Sequence, residues 1–265
     1  MGSSKSSFTT LGSPIPDRYQ TYDQLQRGLK QAGIESLQSV FFFDFSKSNT
    51  WTGEKTYQGR SLHDISFNNP YMHAMDVMKP LIYELDDDGI LPAFKFGCLD
   101  TKDRRVLPLM FPIQQDPHFA GIHPLKEAYQ YVAQTICMSG PTTFAPAIQQ
   151  SIEISQAYNN KQHLFIIIMT DGDVSDMQRD KIAIIEASNY PISFCALGFG
   201  DGPFEKMKYF DDMKGRKFDN FQFVNFTKLE KQCIKSENPE LILATAMMQE
   251  IPDQFKSMKK LGYFQ

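Results

Sequence analysis

Three short stretches put hard oxygen donors where apolar segments end. In the first, Val40-Phe41-Phe42-Phe43 runs straight into Asp44, Ser46 and Ser48, which alternate with Phe45 and Lys47. The second is Ser139-Gly140-Pro141-Thr142-Thr143. Its Gly and Pro set a tight turn, Thr143 is placed to cap the following helix, and Thr142 is left free to present its hydroxyl. In the third, the apolar run Leu164–Met169 ends at Thr170-Asp171-Gly172. Taken singly, each stretch also reads as an ordinary turn or cap, since Asp, Ser and Thr are common there. Taken together, Asp44, Ser46, Ser48, Thr142 and Asp171 supply two carboxylates and three neutral hydroxyls with no sulfur or imidazole donor. Such a set suits Mg²⁺, accepts Mn²⁺, and favours Ca²⁺ less.

The elements that must position these residues can be read in turn. Runs of four to seven apolar residues at 38–43, 90–96, 163–169, 192–197 and 221–226 alternate with helical spacing at 22–32, 70–85, 122–136, 144–157, 176–188, 203–211, 227–233 and 238–250. This alternation predicts a doubly wound α/β fold, with a mostly parallel central sheet and helices on both faces. The segment 105–111 is expected as one antiparallel edge strand, because Pro108 cannot donate to an inner ladder. Ser175 is expected to cap the helix after Asp171. In a doubly wound sheet ligands gather outside the carboxyl ends of the strands, where Asp44 and Asp171 fall. Trp51, the only tryptophan, lies just beyond the first donor stretch and is a candidate rim residue for a partner, as is the loop 112–121.

Composition narrows the function classes. With 27 basic and 31 acidic residues in 265, and no basic block interleaved with aromatics, nucleic acid is not expected as a partner. The four cysteines, Cys98, Cys137, Cys195 and Cys233, form no Cys-x-x-Cys pair and read as buried small hydrophobes of a reducing compartment. No apolar run reaches membrane-spanning length, so a cytoplasmic location is expected. Met-Gly-Ser-Ser-Lys-Ser at the start matches the myristoylation pattern at Gly2. A single acyl chain there would give only weak, reversible membrane attachment.

Four quotable stretches carry a family resemblance: Phe43-Asp44-Phe45-Ser46-Lys47-Ser48-Asn49, Ser139-Gly140-Pro141-Thr142, Asp219-Asn220-Phe221-Gln222-Phe223-Val224 and Glu250-Ile251-Pro252. Across about residues 22 to 256 the chain resembles the copine von Willebrand factor A (vWA) domain, in particular the copine-like domain of plant RING-type ubiquitin ligases. The resemblance implies a vWA fold, a metal-ion-dependent adhesion site (MIDAS) at Asp44, Ser46, Ser48, Thr142 and Asp171, and a protein partner. It divides the chain into a tail at 1–21, the domain at 22–256 and a second tail at 257–265. No C2 domain and no RING is recognised in the chain, so calcium-triggered membrane binding and ubiquitin transfer are not expected of it. The function expected is that of an intracellular, non-catalytic adaptor whose metal bridges to an acidic side chain of a partner. The alternatives are a metal-dependent phosphohydrolase using Asp44, for which Ser46 stands where a second acid is wanted, and a non-catalytic subunit of a ubiquitin-ligase assembly. If Gly2 is acylated, Gly2→Ala is expected to move the membrane-associated fraction wholly to the cytosol on fractionation; identical distributions would remove acylation as a determinant of location.

Overall fold

The computed structural model describes residues 11–86 and 88–264; Gly2 lies outside them. In chain order the elements are α1 (Tyr22–Ala32), β1 (Gln38–Asp44), α2 (Pro70–Leu85), β2 (Ile90–Phe96), β3 (Leu107–Pro108), β4 (His118–Ala120), α3 (Ile122–Thr135) and α4 (Ala145–Ala157). They continue with β5 (Leu164–Thr170), α5 (Met177–Ala187), β6 (Ile192–Gly198), α6 (Glu205–Asp212), β7 (Phe221–Asn225), α7 (Phe226–Cys233), α8 (Pro239–Met248) and α9 (Ile251–Leu261). Local chemistry sets several ends. Thr21 accepts from the Gln24 N–H to cap α1, Gly33 closes it at φ 78°, and Asn69 caps α2 with Pro70 in its first turn.

The strands form one sheet in the order β3-β2-β1-β5-β6-β7, with β4 also paired to β2. β2, β1, β5, β6 and β7 run parallel, while β3 and β4 are antiparallel to β2. The doubly wound α/β expectation is therefore met, with the antiparallel edge in two short pieces rather than one. After β1 the chain adds β2 on one side; from β5 it proceeds outward on the other. The boundary between β1 and β5 is thus the topological switch point.

Side-chain alternation divides the core. Phe41 and Phe43 of β1 join one buried cluster with α1, α2, α3, α7 and α8, whereas Val40 and Phe42 join another with α4, α5 and α6. Every residue of β1, β5 and β6 is buried, as strands covered on both faces must be.

Several expectations need correction. The segment 112–121 does not reach the carboxyl edge, because β4 pairs with Ile90–Pro92 at the amino end of β2. β3 has by then carried the chain backwards along the sheet. Asp176, not Ser175, caps α5 by accepting from the Arg179 N–H. Cys137 is exposed, since it lies in the turn after α3, while the other three cysteines are buried. The expected tail boundary at 256 falls inside α9, which packs Met258 against the domain, and Tyr263 Oη donates to the Ser188 carbonyl at 2.8 Å.

At the other end, Ile15 is buried and its N–H donates to Asp219 Oδ2 at 2.7 Å, so the chain before α1 is tied to the core as well. Asp219 belongs to a buried charged cluster. Arg216 meets it at 2.7 Å with side chains 0% and 1% exposed, and Glu250 and Asp211 lie close enough for their charges to act on Arg216. Burial pushes the Asp211 carboxyl up to about 8, reinforced by the charges of Asp219 and Asp212. The folded chain then retains a proton that the unfolded chain releases near pH 4. That contribution to stability is complete below about pH 4 and is lost as the pH rises through about 8. Asp211→Asn should flatten this slope, matching wild type near pH 4 and exceeding it at pH 8 in urea denaturation; parallel pH profiles would refute the assignment.

Candidate metal centre

Asp44 is the last residue of β1, and Asp171 follows the last residue of β5, so both carboxylates arrive at the switch point on adjacent strands. The register pairs Phe43 with Met169, which sets Asp44 beside Thr170. Thr170 Oγ1 donates to Asp44 Oδ2 at 2.7 Å, and the Ser46 N–H donates to Asp44 Oδ1 at 2.8 Å. Asp171 accepts from Thr52 Oγ1 at 3.2 Å and from the Asp173 N–H at 3.1 Å. Ser46 Oγ and Ser48 Oγ are 3.0 Å apart, and the Asn49 amide donates to Ser46 Oγ at 3.1 Å.

Thr142 enters from the loop before α4, which continues from the cis peptide Gly140–Pro141. Its carbonyl is held by Ser175 through both N–H (2.9 Å) and hydroxyl (2.7 Å). Its own Oγ1 is buried and has no hydrogen-bond partner. Gly97 shows where that hydroxyl points. A Cβ there would lie 2.8 Å from Asp44 Oδ1 and 3.0 Å from Thr142 Oγ1. The structure thus gathers all five expected residues at one edge of the sheet. Trp51 is 56% exposed and precedes Thr52, which bonds Asp171.

Electrostatics follow from this enclosure. Burial holds the Asp44 and Asp171 carboxyls above the usual carboxylate range, and the charge of Asp171 raises Asp44 further. The chemical fit to a hard divalent cation is good. The donor set is entirely oxygen, two carboxylates need a counter-charge, and one buried hydroxyl lacks any partner. Among the described residues no group of three or more His, Cys, Asp or Glu is placed to hold a metal, so hydroxyls must complete any such set.

Sequence reasoning missed the supports beneath the donors. His63 is buried, with Nε2 2.8 Å from the Asp44 carbonyl and Nδ1 2.8 Å from Tyr129 Oη. A carbonyl only accepts, so Nε2 carries the proton and Tyr129 donates to Nδ1. Burial drives the His63 pKa down to about 3, and the ring stays neutral. Its faces stack on Phe45 at 4.4 Å and Tyr71 at 4.2 Å, and Tyr71 Oη donates to Asn49 Oδ1 at 2.7 Å. The N-cap of α4 is Phe144, without a side-chain cap bond, rather than the expected Thr143; the Thr143 hydroxyl accepts the Ala145 N–H at 3.2 Å and is itself bonded to buried Asp180 of α5. No spacing in the chain links Asp180 to that loop. Thr170 and Gly97 did carry a signal, since each immediately follows an apolar strand run.

Comparisons with known proteins bear on the family of the chain. The family model described as Copine matches residues 61–265. The chain is 35% identical to the E3 ubiquitin-protein ligase RGLG3 of Arabidopsis thaliana, covering 94% of this chain and 71% of that protein. It is also 35% identical to RGLG4 of the same plant, covering 93% of this chain and 64% of that one. Copine family protein 2 of Caenorhabditis elegans is 35% identical over 95% of this chain and 3% of its own length. Among solved structures, a von Willebrand factor type A from Catenulispora acidiphila aligns with 80% of this chain and 42% of that one, at 15% identity and TM-score 0.46. The manganese-loaded Plasmodium vivax TRAP protein aligns with 73% of this chain and 70% of that one, at 13% identity and TM-score 0.44.

The position of Gly97 gives a direct test of the cradle. Gly97→Ala places a methyl group against Asp44 Oδ1 and Thr142 Oγ1 at a residue whose φ is 75°. It should lower stability by about 1–3 kcal/mol and displace the Thr142 hydroxyl, read as chemical-shift changes confined to residues around 44, 97 and 142. A variant with unchanged melting and unchanged spectra would show that the cradle is looser than drawn.

Proposed function

The chain belongs to the copine family, and we propose that it acts as a non-catalytic protein-binding module with a divalent-metal site at Asp44, Ser46, Ser48, Thr142 and Asp171. The observation that carries this reading is the Thr142 hydroxyl, buried without a partner and directed to the same point as an Asp44 oxygen. Bound there, a divalent cation would supply a Lewis-acidic position able to accept a carboxylate oxygen. The two carboxylates would hold it, the three hydroxyls would contribute neutral oxygens, and some contacts would run through water, as is usual for Mg²⁺. Asp44 and Asp171 contribute two negative charges against two positive ones, so attraction for an Asp or Glu of a partner is retained. The edge-of-sheet location favours a macromolecular partner over a small enclosed substrate.

The phosphohydrolase reading fares less well. Ser46 stands two residues beyond Asp44, and its hydroxyl is engaged with Ser48 and Asn49. The plant relatives named as ubiquitin ligases favour partners in a ligase assembly, with transfer chemistry supplied elsewhere. Among the described residues no helix is long and apolar enough to cross a membrane. The location we propose is cytoplasmic, with membrane attachment only through an acylated Gly2.

Titration calorimetry with Mg²⁺ tests the site. Wild type should bind with a stoichiometry of about one, Mn²⁺ should compete, and Asp171→Ala should lose measurable heat while keeping a cooperative melt, because the core does not depend on the metal. Equal binding by wild type and Asp171→Ala would overturn the assignment.

A further inference from the structure

The loops that build the metal centre also form the mouth of a groove. α4 starts three residues after Thr142, and α5 is pinned to it there, because Asp180 bonds Thr143 and accepts the Ala145 N–H at 2.8 Å. On the outer side of this junction lies a cavity of about 480 Å³ lined by Arg104, Arg105, Arg179, Gln149 and Gln150. Arg104 and Arg105 come from the loop that begins at Gly97, where an added Cβ would meet Asp44 and Thr142. Arg179 Nη1 donates to the Asp103 carbonyl at 2.6 Å and closes that loop onto α5. The groove and the metal centre are therefore joined through the loop from Gly97, and through α4, which begins three residues after Thr142 and lines the groove from Ala145.

The charge pattern decides what such a groove fits. Arg104, Arg105 and Arg179 are all exposed, and among the described residues none has a carboxylate within salt-bridge distance. Arg105 Nε and Arg179 Nη1 each use one donor on a backbone carbonyl. Each guanidinium has five N–H donors in a planar fork, so most remain for a planar anion. Glu153 and Glu186 line the same cavity on α4 and α5, in the turns farther from the helix starts. They repel an anion from their end of the cavity, toward the arginines.

We infer that this arginine-lined groove is a second contact for the same partner, taking an acidic peptide segment whose neighbouring carboxylate reaches the metal centre. The inference rests on the proposed metal-bridging role and adds the chemistry of the partner: clustered Asp or Glu, of which one meets the metal and others meet Arg104, Arg105 and Arg179. A guanidinium engages a carboxylate bidentately, so the groove selects for closely spaced acids over a lone one. The glutamines at 149 and 150 add amide donors without charge.

The test is fluorescence anisotropy with a labelled octaglutamate peptide on the full chain. Wild type in Mg²⁺ should bind it, an octalysine peptide should not bind, and rising salt should weaken the complex. The triple variant Arg104→Ala/Arg105→Ala/Arg179→Ala should bind about tenfold more weakly, as three exposed charge pairs would together account for. Gln149→Glu, which removes no packed side chain, should weaken it in the same direction. A triple variant that binds like wild type, while chelator or Thr142→Ala abolishes binding, would overturn the groove and leave the metal site standing. Loss in the triple variant with no effect of chelator or Thr142→Ala would uphold the groove and overturn the bridge. Failure of wild type to bind octaglutamate overturns the inference, as does transfer of the arginine dependence to phosphatidylserine vesicles alone, which would assign the patch to a membrane surface.

Discussion

Two buried carboxylates that share one point at the edge of a sheet are the constraint around which the site is built. Asp44 and Asp171 are 0% and 1% exposed, and among the described residues neither is paired with a lysine, arginine or histidine. Withdrawing unpaired charge from water is costly, and in a metal-free chain the cost is met by raised proton affinity together with hydrogen bonds. Thr170, Thr52 and the N–H groups of Ser46 and Asp173 supply those bonds. They shape the carboxylates without neutralising them. A cation is the simplest addition that balances the group, and the partnerless Thr142 hydroxyl is the part of the enclosure that protein contacts leave unsatisfied.

Such an arrangement persists only on a scaffold that does not yield. The fully buried β1 and β5 provide it on two sides, and a stack of aromatic rings provides it from below. Phe45, His63, Tyr71 and Tyr129 lie in mutual contact under the turn that presents Ser46 and Ser48. Neutral His63 donates to the Asp44 carbonyl and receives from Tyr129, so the backbone of the donor residue is fixed as well as its side chain. By contrast, the exposed parts of the rim, Trp51 and the arginines at 104, 105 and 179, sit on loops or a helix start whose outward side chains the core does not dictate. The buried oxygen donors and these exposed side chains are thereby structurally separate.

A second cluster of buried charge has a different purpose. Arg216, Asp219 and Glu250 join the turn before β7, the start of α9 and, through Ile15, the strand-like segment ahead of α1. Two of the four stretches that carry the family resemblance, at 219–224 and 250–252, fall here rather than at the metal centre. Their buried side chains, with Arg216, tie the segment ahead of α1 and the start of α9 to the domain. The anchoring also explains why segments that read as loose tails are ordered next to it. Asp219 gives the Ile15 N–H an acceptor, and α9 buries Ile251 and Met258.

Strand-period apolar runs separated by helical spacing determine a doubly wound sheet by themselves, because continuous apolar strands need cover on both faces and right-handed crossovers supply it. Polar donors at the ends of two of those runs, with a Gly-Pro-Thr turn between, likewise placed Asp44, Ser46, Ser48, Thr142 and Asp171 at one edge, since parallel strands all end on the same side. Elements with weak periodicity were not legible. β4 took the segment 112–121 to the opposite edge because an antiparallel β3 reverses the chain, and α9 escaped notice as a tail because its apolar face is meaningful only against α1. The partners that make the site a site were decided by tertiary structure alone. His63 to Asp44, Asp180 to Thr143 and Arg179 to the Asp103 carbonyl span 19, 37 and 76 residues. Contacts at those separations leave no spacing pattern in a single sequence; they exist only once the sheet has fixed which loops meet.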